Sequence, residues 1–277
     1  MKCYYHNDAD GRCAGAIVNK RNQLYNESYD FIEVDYKDII QVDQIKEDED
    51  IIIVDFSFKP KIMKEVFKKT TNIIWIDHHE TAFEYDYRRE LKGLRDVAYS
   101  GCELAWQYFF HGEMPRSVIL IGDRDKHALK YGKETDWFNI GLLSVKHQPK
   151  DLIWNNLLND NIKILQDIID AGKICEKFRD NFCKDYADKY GFETEFEGHK
   201  AFALGIYRFS SEAFGKRYKE YPLCLSFVYS GEKWSVSLYS EDIDVSKIAK
   251  KYGGGGHKGA AGFVCNQLPF CKLEIEK

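Results

Sequence analysis

The chain has 277 residues, of which 44% are hydrophobic and 31% charged, with a formal net charge of −5 and a pI near 5.9. That length can bury a sizeable core and accommodate two domains, and the composition reads as a soluble globular protein. The acidic balance excludes a global basic field that draws in nucleic acid by counterion release, so an anionic substrate needs local cations or metals.

Eight cysteines, Cys3, Cys13, Cys102, Cys175, Cys183, Cys224, Cys265 and Cys271, form no CxxC pair and keep no regular spacing. In a chain this large they predict reduced thiols and a cytoplasmic location. An acidic motif is reached by residue 8, which leaves no room for a signal-peptide hydrophobic region. No apolar run approaches the roughly 18 residues a membrane span requires, so neither export nor insertion is expected.

In chain order, apolar runs predict strands at 2–5, 30–35, 50–55, 72–77 and 117–122, with helical patterns near 11–22, 59–69 and 101–111. Strands alternating with helices argue for βαβ units and a mostly parallel sheet, an α/β domain over 1–150. From 151 to 191 the apolar residues Ile162, Leu165, Ile168, Ile169, Phe178 and Phe182 recur at helical spacing, which predicts a helical connector. Beyond it, β-like runs at 200–206, 223–229 and 234–239 and a short amphipathic helix at 245–251 predict a smaller α+β domain over 192–277. The charged run 46–50 reads as a solvated loop.

Chemistry concentrates where the first-domain strands end. His6, Asp8, Asp10 and Gly11 follow the first run, Asp55 ends Ile51-Ile52-Ile53-Val54, Asp77-His78-His79 follow Trp75-Ile76, and Asp123 follows Ile121-Gly122. In open α/β sheets the ligand site lies at the carboxyl ends of the strands, because the loops there converge on a crevice. Each acid alone is more often a helix N-cap or turn former than a ligand. Four such elements in order make that reading improbable for the set. Asp8 and Asp10 at alternate positions can both enter a site, Asp55 has two oxygens with which to bridge ions, and His6 and His78 add nitrogens. Mixed carboxylate and imidazole ligation suits Mn²⁺, with Mg²⁺, Co²⁺ or Fe²⁺ as competitors. Two ions roughly 3.5–4 Å apart would serve phosphoester or phosphoanhydride hydrolysis.

The ordered set HNDADG, the Asp of IIIVDFS, the triplet of IIWIDHH and the Asp of ILIGDRD resembles the four motifs of DHH phosphoesterases. GGGGHKGAAGF, residues 253–263, resembles the signature of the DHHA1 domain that accompanies them. The resemblance implies that His6 and Asp8 hold one metal, that Asp10, His78 and Asp123 hold the other, and that Asp55 bridges. It further implies that His79 orients phosphate and that Asp77 supports the ligands. The fit of ILIGD favours Asp123, while Asp125 would be the ligand if the strand ended later.

In the C-terminal motif, Gly254, Gly255 and Gly256 expose backbone N–H groups to a phosphate, and His257 is placed to donate to it. A flexible linker is the competing reading of this run. Family members often carry an Arg in a Ser-Leu-Arg-Ser stretch upstream, whereas this chain has Ser237-Leu238-Tyr239-Ser240. Tyr239 can stack on a base, and Lys258 and Arg208, ahead of Lys216 and Arg217, are the candidate replacement cations.

The resemblance implies a metal-dependent phosphodiesterase acting on very short RNA, nearer the oligoribonuclease and RecJ-related branch than the branch with a longer first-motif spacing. A 3′-phosphoadenosine 5′-phosphate (pAp) phosphatase, a cyclic- or linear-dinucleotide phosphodiesterase and an exopolyphosphatase are the alternatives. A nucleotide-binding sensor without turnover would lack ligands such as Asp55 or His78, which are present. Short RNA or nucleotide is the expected partner, with no duplex or membrane, and a homodimer is compatible.

Overall fold

A computed structural model describes residues 1–273. It divides into one compact unit over Met1–Cys175 and a second from Glu176 onward.

The first unit runs β1 (Lys2–His6), α1 (Ala9–Tyr25), β2 (Asp30–Val34), β3 (Ile51–Val54), α2 (Pro60–Val66), β4 (Ile73–Ile76), α3 (Glu80–Phe83), α4 (Gly101–Phe109), α5 (Arg116–Asp125), α6 (Lys133–Leu142), α7 (Ile153–Leu157) and the first half of α8 (Ile162–Tyr190). The four strands form a parallel sheet in the order β2-β1-β3-β4. Because side chains alternate across a strand, Cys3, Tyr5, Ile52, Val54 and Ile76 join one core with residues of α1, α4 and α5. Tyr4, Ile51, Ile53, Ile73 and Trp75 join the opposite core, with Met63 and Val66 of α2. A sheet covered on both faces is what a run such as Ile51-Ile52-Ile53-Val54, buried throughout, requires. The chain reverses direction across the sheet between β1 and β3, so their carboxyl ends flank a topological switch point.

Residues 117–122, expected as a strand, lie instead within α5. Short apolar runs do not distinguish strand from helix by pattern alone, and here Ser117, Val118, Leu120 and Ile121 bury a helical face. The outer edge of β4 is covered by backbone from Lys92 to Arg95: Trp75 N donates to Lys92 O at 2.8 Å and Asp77 N to Leu94 O at 3.1 Å.

The segment expected as a connector belongs to both units. Trp154, Leu157, Leu158, Ile168 and Ile169 sit in the core of the first, and Cys183 and Ala187 of the same α8 sit in a core of the second.

The second unit continues with β5 (Phe192–Phe196), β6 (His199–Leu204), α9 (Arg217–Glu220), β7 (Leu223–Tyr229), β8 (Trp234–Tyr239), α10 (Val245–Lys251), β9 (Gly255–Gly256) and β10 (Ala260–Cys265). Its six-stranded sheet has the order β5-β6-β7-β8-β10-β9, antiparallel except for the β6–β7 pair. One face packs Leu225, Val236 and Phe263 against Val245, Ile248 and Ala249 of α10. The other packs Phe202, Leu204 and Cys224 with Phe214 and α8. All eight cysteines are free, and among the described residues no helix is long and apolar enough to cross a membrane.

Candidate metal centre

The carboxyl ends of β1, β3 and β4 deliver most of the site. His6 closes β1, and its Nδ1 lies 2.7 Å from Asp8 Oδ2. Asp8 also caps α1, accepting from Gly11 N at 2.9 Å through Oδ1, so the oxygen that caps the helix is not the one that faces His6. A side chain at position 11 would meet the His6 carbonyl oxygen at 2.3 Å, which is why this turn needs glycine.

Asp10, in the first turn of α1, is buried and reaches the N-terminus of α4. Its two carboxylate oxygens accept from Gly101 N at 2.6 Å and Cys102 N at 2.9 Å, a favourable place for negative charge. That helix start is itself pinned by a capping box between Ser100 and Glu103.

Asp55 leaves β3 in the left-handed region, with φ +52, a conformation Asp tolerates better than most residues. Gly101 packs against it so closely that an added Cβ would lie 2.5 Å from Asp55 Cβ. Asp77 Oδ1 accepts from His78 N at 2.8 Å and His79 N at 3.2 Å and lies 2.7 Å from His79 Nδ1. The first histidine is thereby left to the cluster, while the second is held by its own aspartate.

Asp55 sits between two groups. Its Oδ2 is 3.8 Å from His6 Nδ1, beside Asp8, and its Oδ1 is 3.2 Å from His78 Nε2. His78 Nε2 lies a further 3.5 Å from Asp125 Oδ2 and 3.8 Å from Asp10 Oδ2. The donors thus form three overlapping groups, each spaced to hold an ion: His6-Asp8-Asp55, Asp10-His78-Asp125, and Asp55-His78-His79, in which His79 also stands near Asp55.

The electrostatics fit cations. Burial, then Asp10, Asp8, Asp125 and Asp77, push the Asp55 carboxyl well above the ordinary range. Burial and the charges of Asp10 and Asp8 push Asp125 up to about 8. Burial holds His78 below its usual value despite the surrounding carboxylates. For His6 and His79 burial also acts downward, but the hydrogen bonds they donate to Asp8 and Asp77 and the nearby acidic charge outweigh it and raise both. Both oxygens of Asp55 and one each of Asp77 and Asp125 are buried without a hydrogen-bond partner. Buried carboxylate oxygens otherwise demand partners, so this donor set fits divalent metal.

One expected ligand, Asp123, stands away from the cluster. Asp123 accepts from Lys130 N at 2.8 Å, Tyr131 N at 3.3 Å and the Thr135 hydroxyl, and so ties α5 to the following loop and α6. Burial alone would raise it, but those donors hold its carboxyl below the usual value. The expectation treated 117–122 as a strand that delivered Asp123; on a helix, Asp125 shares the face of Ile121 and is the residue beside His78. Tyr36, after β2, also stands at the site although no motif marked it: its ring centroid is 5.7 Å from His6 and 5.8 Å from His79.

In the second unit the glycine run is ordered. A Cβ at Gly254 would lie 2.0 Å from Gly262 O, and Gly256, at φ +141, packs with the position of its absent Cβ 2.6 Å from Ala261 Cα. Gly255 has open space around it. His257 N donates to Ala260 O at 2.8 Å, and the side chains of His257 and Lys258 are exposed. Tyr239 pairs with Ala260 across β8 and β10, which places it beside this turn, with its ring 5.9 Å from Phe214. Arg208 is on a different loop, exposed, over the Tyr207 ring at 5.6 Å. Lys216 pairs with Glu220 at 3.7 Å and Arg217 with Asp188.

Comparison with known proteins places these features. Residues 213–274 match the DHHA1 domain. Uncharacterized protein R106 of Acanthamoeba polyphaga mimivirus is 24% identical over 255 residues, 85% of this chain, and the chain spans 57% of that relative's length. The DHH domain of a member of a ribosomal-protein family superposes with a TM-score of 0.63 at 13% identity, covering 95% of this chain and 82% of that one. The pGpG-specific phosphodiesterase PggH of Vibrio cholerae superposes at 0.58 and 14% identity, covering 96% of this chain and 93% of the other.

Proposed function

We propose that this chain, which has the DHH fold and carries a DHHA1 domain, is a divalent-metal phosphodiesterase that hydrolyses very short oligoribonucleotides to mononucleotides. The observation that carries the reading is Asp55. It is a fully buried carboxylate with neither oxygen hydrogen-bonded, set between His6-Asp8 on one side and Asp10-His78-Asp125 on the other. Two bound divalent ions, for which this oxygen and imidazole set suits Mn²⁺ with Mg²⁺ and Co²⁺ as competitors, would neutralise the carboxylates and stabilise charge on a phosphoryl group.

The protein's own residues supply position and electrostatics. The N-terminus of α4 fixes both oxygens of Asp10, and Gly101 closes against Asp55. Asp77 holds the His79 ring through Nδ1, which leaves Nε2 for a substrate phosphoryl oxygen. In the second unit, His257, Lys258, Tyr239 and the N–H groups around Gly255 are the groups we assign to nucleotide binding, with Arg208 as a further cation.

Short substrates are favoured by the net charge of −5, which gives no extended grip on a polyanion. Likeness to a pGpG-specific enzyme supports a linear dinucleotide within that class. The deciding assay gives the purified protein Mn²⁺ and labelled RNA dimers to heptamers beside pAp, cyclic dinucleotides and polyphosphate. Preference for the shortest RNAs is the expected result; turnover confined to polyphosphate or pAp would overturn the substrate reading.

A further inference from the structure

Tyr36 belongs to none of the motifs, yet its ring borders the candidate metal cluster. It follows β2 at the carboxyl end of the parallel sheet, the end that carries His6, Asp55 and His79. Its ring packs on Phe56, with centroids 4.7 Å apart and planes inclined by 32°, while Phe56 itself is buried. His6 and His79 approach the same ring at 5.7 Å and 5.8 Å. Despite these neighbours Tyr36 keeps 39% of its surface exposed. Exposed tyrosines occur elsewhere in the chain, so what sets Tyr36 apart is that its open ring borders His6 and His79.

We infer that Tyr36 is a positioning residue whose exposed ring stacks on the nucleobase attached to the phosphate held at the metal cluster. The inference rests on the proposed phosphodiesterase reading. A phosphate placed among His6, Asp55 and His79 carries its nucleoside toward the aromatic group that borders two of them. Phe56 backs the ring and His6 and His79 flank it, so the platform is rigid before substrate arrives, which limits the ordering cost of binding. Stacking is indifferent to base identity, since every base has a π-face, so Tyr36 favours nucleotides over base-free phosphates without selecting a sequence.

The test separates binding from turnover. Calorimetric titration of the dinucleotide ApA, with Ca²⁺ replacing Mn²⁺ to suppress hydrolysis, is run on the wild type, Tyr36→Ala and Tyr36→Phe. Two ApA analogues, each with one adenosine replaced by an abasic ribose, complete the set. Tyr36→Ala weakens ApA binding about 10-fold, the scale of one base–aromatic stack, while Tyr36→Phe stays within about 2-fold because the ring remains. One abasic analogue loses its sensitivity to Tyr36→Ala, and that analogue identifies the stacked base. Equal binding of ApA by Tyr36→Ala and wild type, equal sensitivity of both analogues, a Phe variant as weak as the Ala variant, or no binding of ApA by wild type overturns the inference. Wild type that binds ApA with the expected Tyr36 dependence, yet releases no mononucleotide with Mn²⁺, refutes the phosphodiesterase reading and leaves the stacking intact.

Discussion

Asp123 and Asp125 stand two residues apart on α5, about 200° around the helix from each other, so only one can face the cluster. Asp125 lies 3.5 Å from His78 Nε2, whereas Asp123 is saturated by donors from the following loop and α6. The two substitutions therefore separate. Asp125→Asn lowers Mn²⁺-stimulated hydrolysis at least ~100-fold with little loss of stability, since even supporting groups around metals cost 10- to 100-fold. Asp123→Ala strands three donors and costs about 1–3 kcal/mol of stability in urea unfolding, while the folded fraction keeps its turnover. The reverse pattern would restore Asp123 as the ligand. This was legible only in part: HNDADG, Asp55 and the Asp77-His78-His79 triplet stand out as residue types at strand ends, but choosing between two acids two apart requires knowing the local backbone. Tyr36 was not legible at all, because a lone aromatic after a strand carries no signal until the fold sets it beside His6 and His79.

At the scale of elements, α4 organises the site without supplying a ligand. Its first two N–H groups hold Asp10, its first glycine permits the approach of Asp55, and its start is fixed by Ser100 and Glu103. Ser100→Ala removes the capping box, which costs about 0.5–2 kcal/mol. It also lets Asp10 shift, so Mn²⁺ affinity falls about 10-fold in a direct titration. Loss of stability with unchanged affinity would separate the cap from the site. The sequence pattern marked this helix and all four parallel strands, because each apolar run ends at a polar turn. It misread α5, whose run 117–122 is too short for period alone to separate a helix from a strand.

For the molecule as a whole, the division at Cys175–Glu176 falls inside α8, and the candidate metal ligands named above all lie on the N-terminal side. Ligand that binds only the folded form stabilises what it binds by mass action. In differential scanning calorimetry, Mn²⁺ at 100 times its Kd should stabilise the first unit by about 2.7 kcal/mol and leave a separate second-unit transition in place. Asp55→Asn, which preserves a residue suited to φ +52, should abolish the shift. An undiminished shift in that variant would remove Asp55 from the centre.

The amino-acid sequence alone determined the α/β architecture with a parallel sheet and marked most of the acids and imidazoles that gather at its strand ends, because burial periodicity and strand-end chemistry are local properties. It also marked the glycine run as a structured turn, since His257 and the small residues after it predict packing. The tertiary structure alone decided that Asp125 and not Asp123 joins His78, that Asp10 is anchored 91 residues away at Gly101, and that Tyr36 borders the site. Each of these depends on which helix face or which distant backbone meets the strand ends, and contacts between residues far apart in the chain are set by packing.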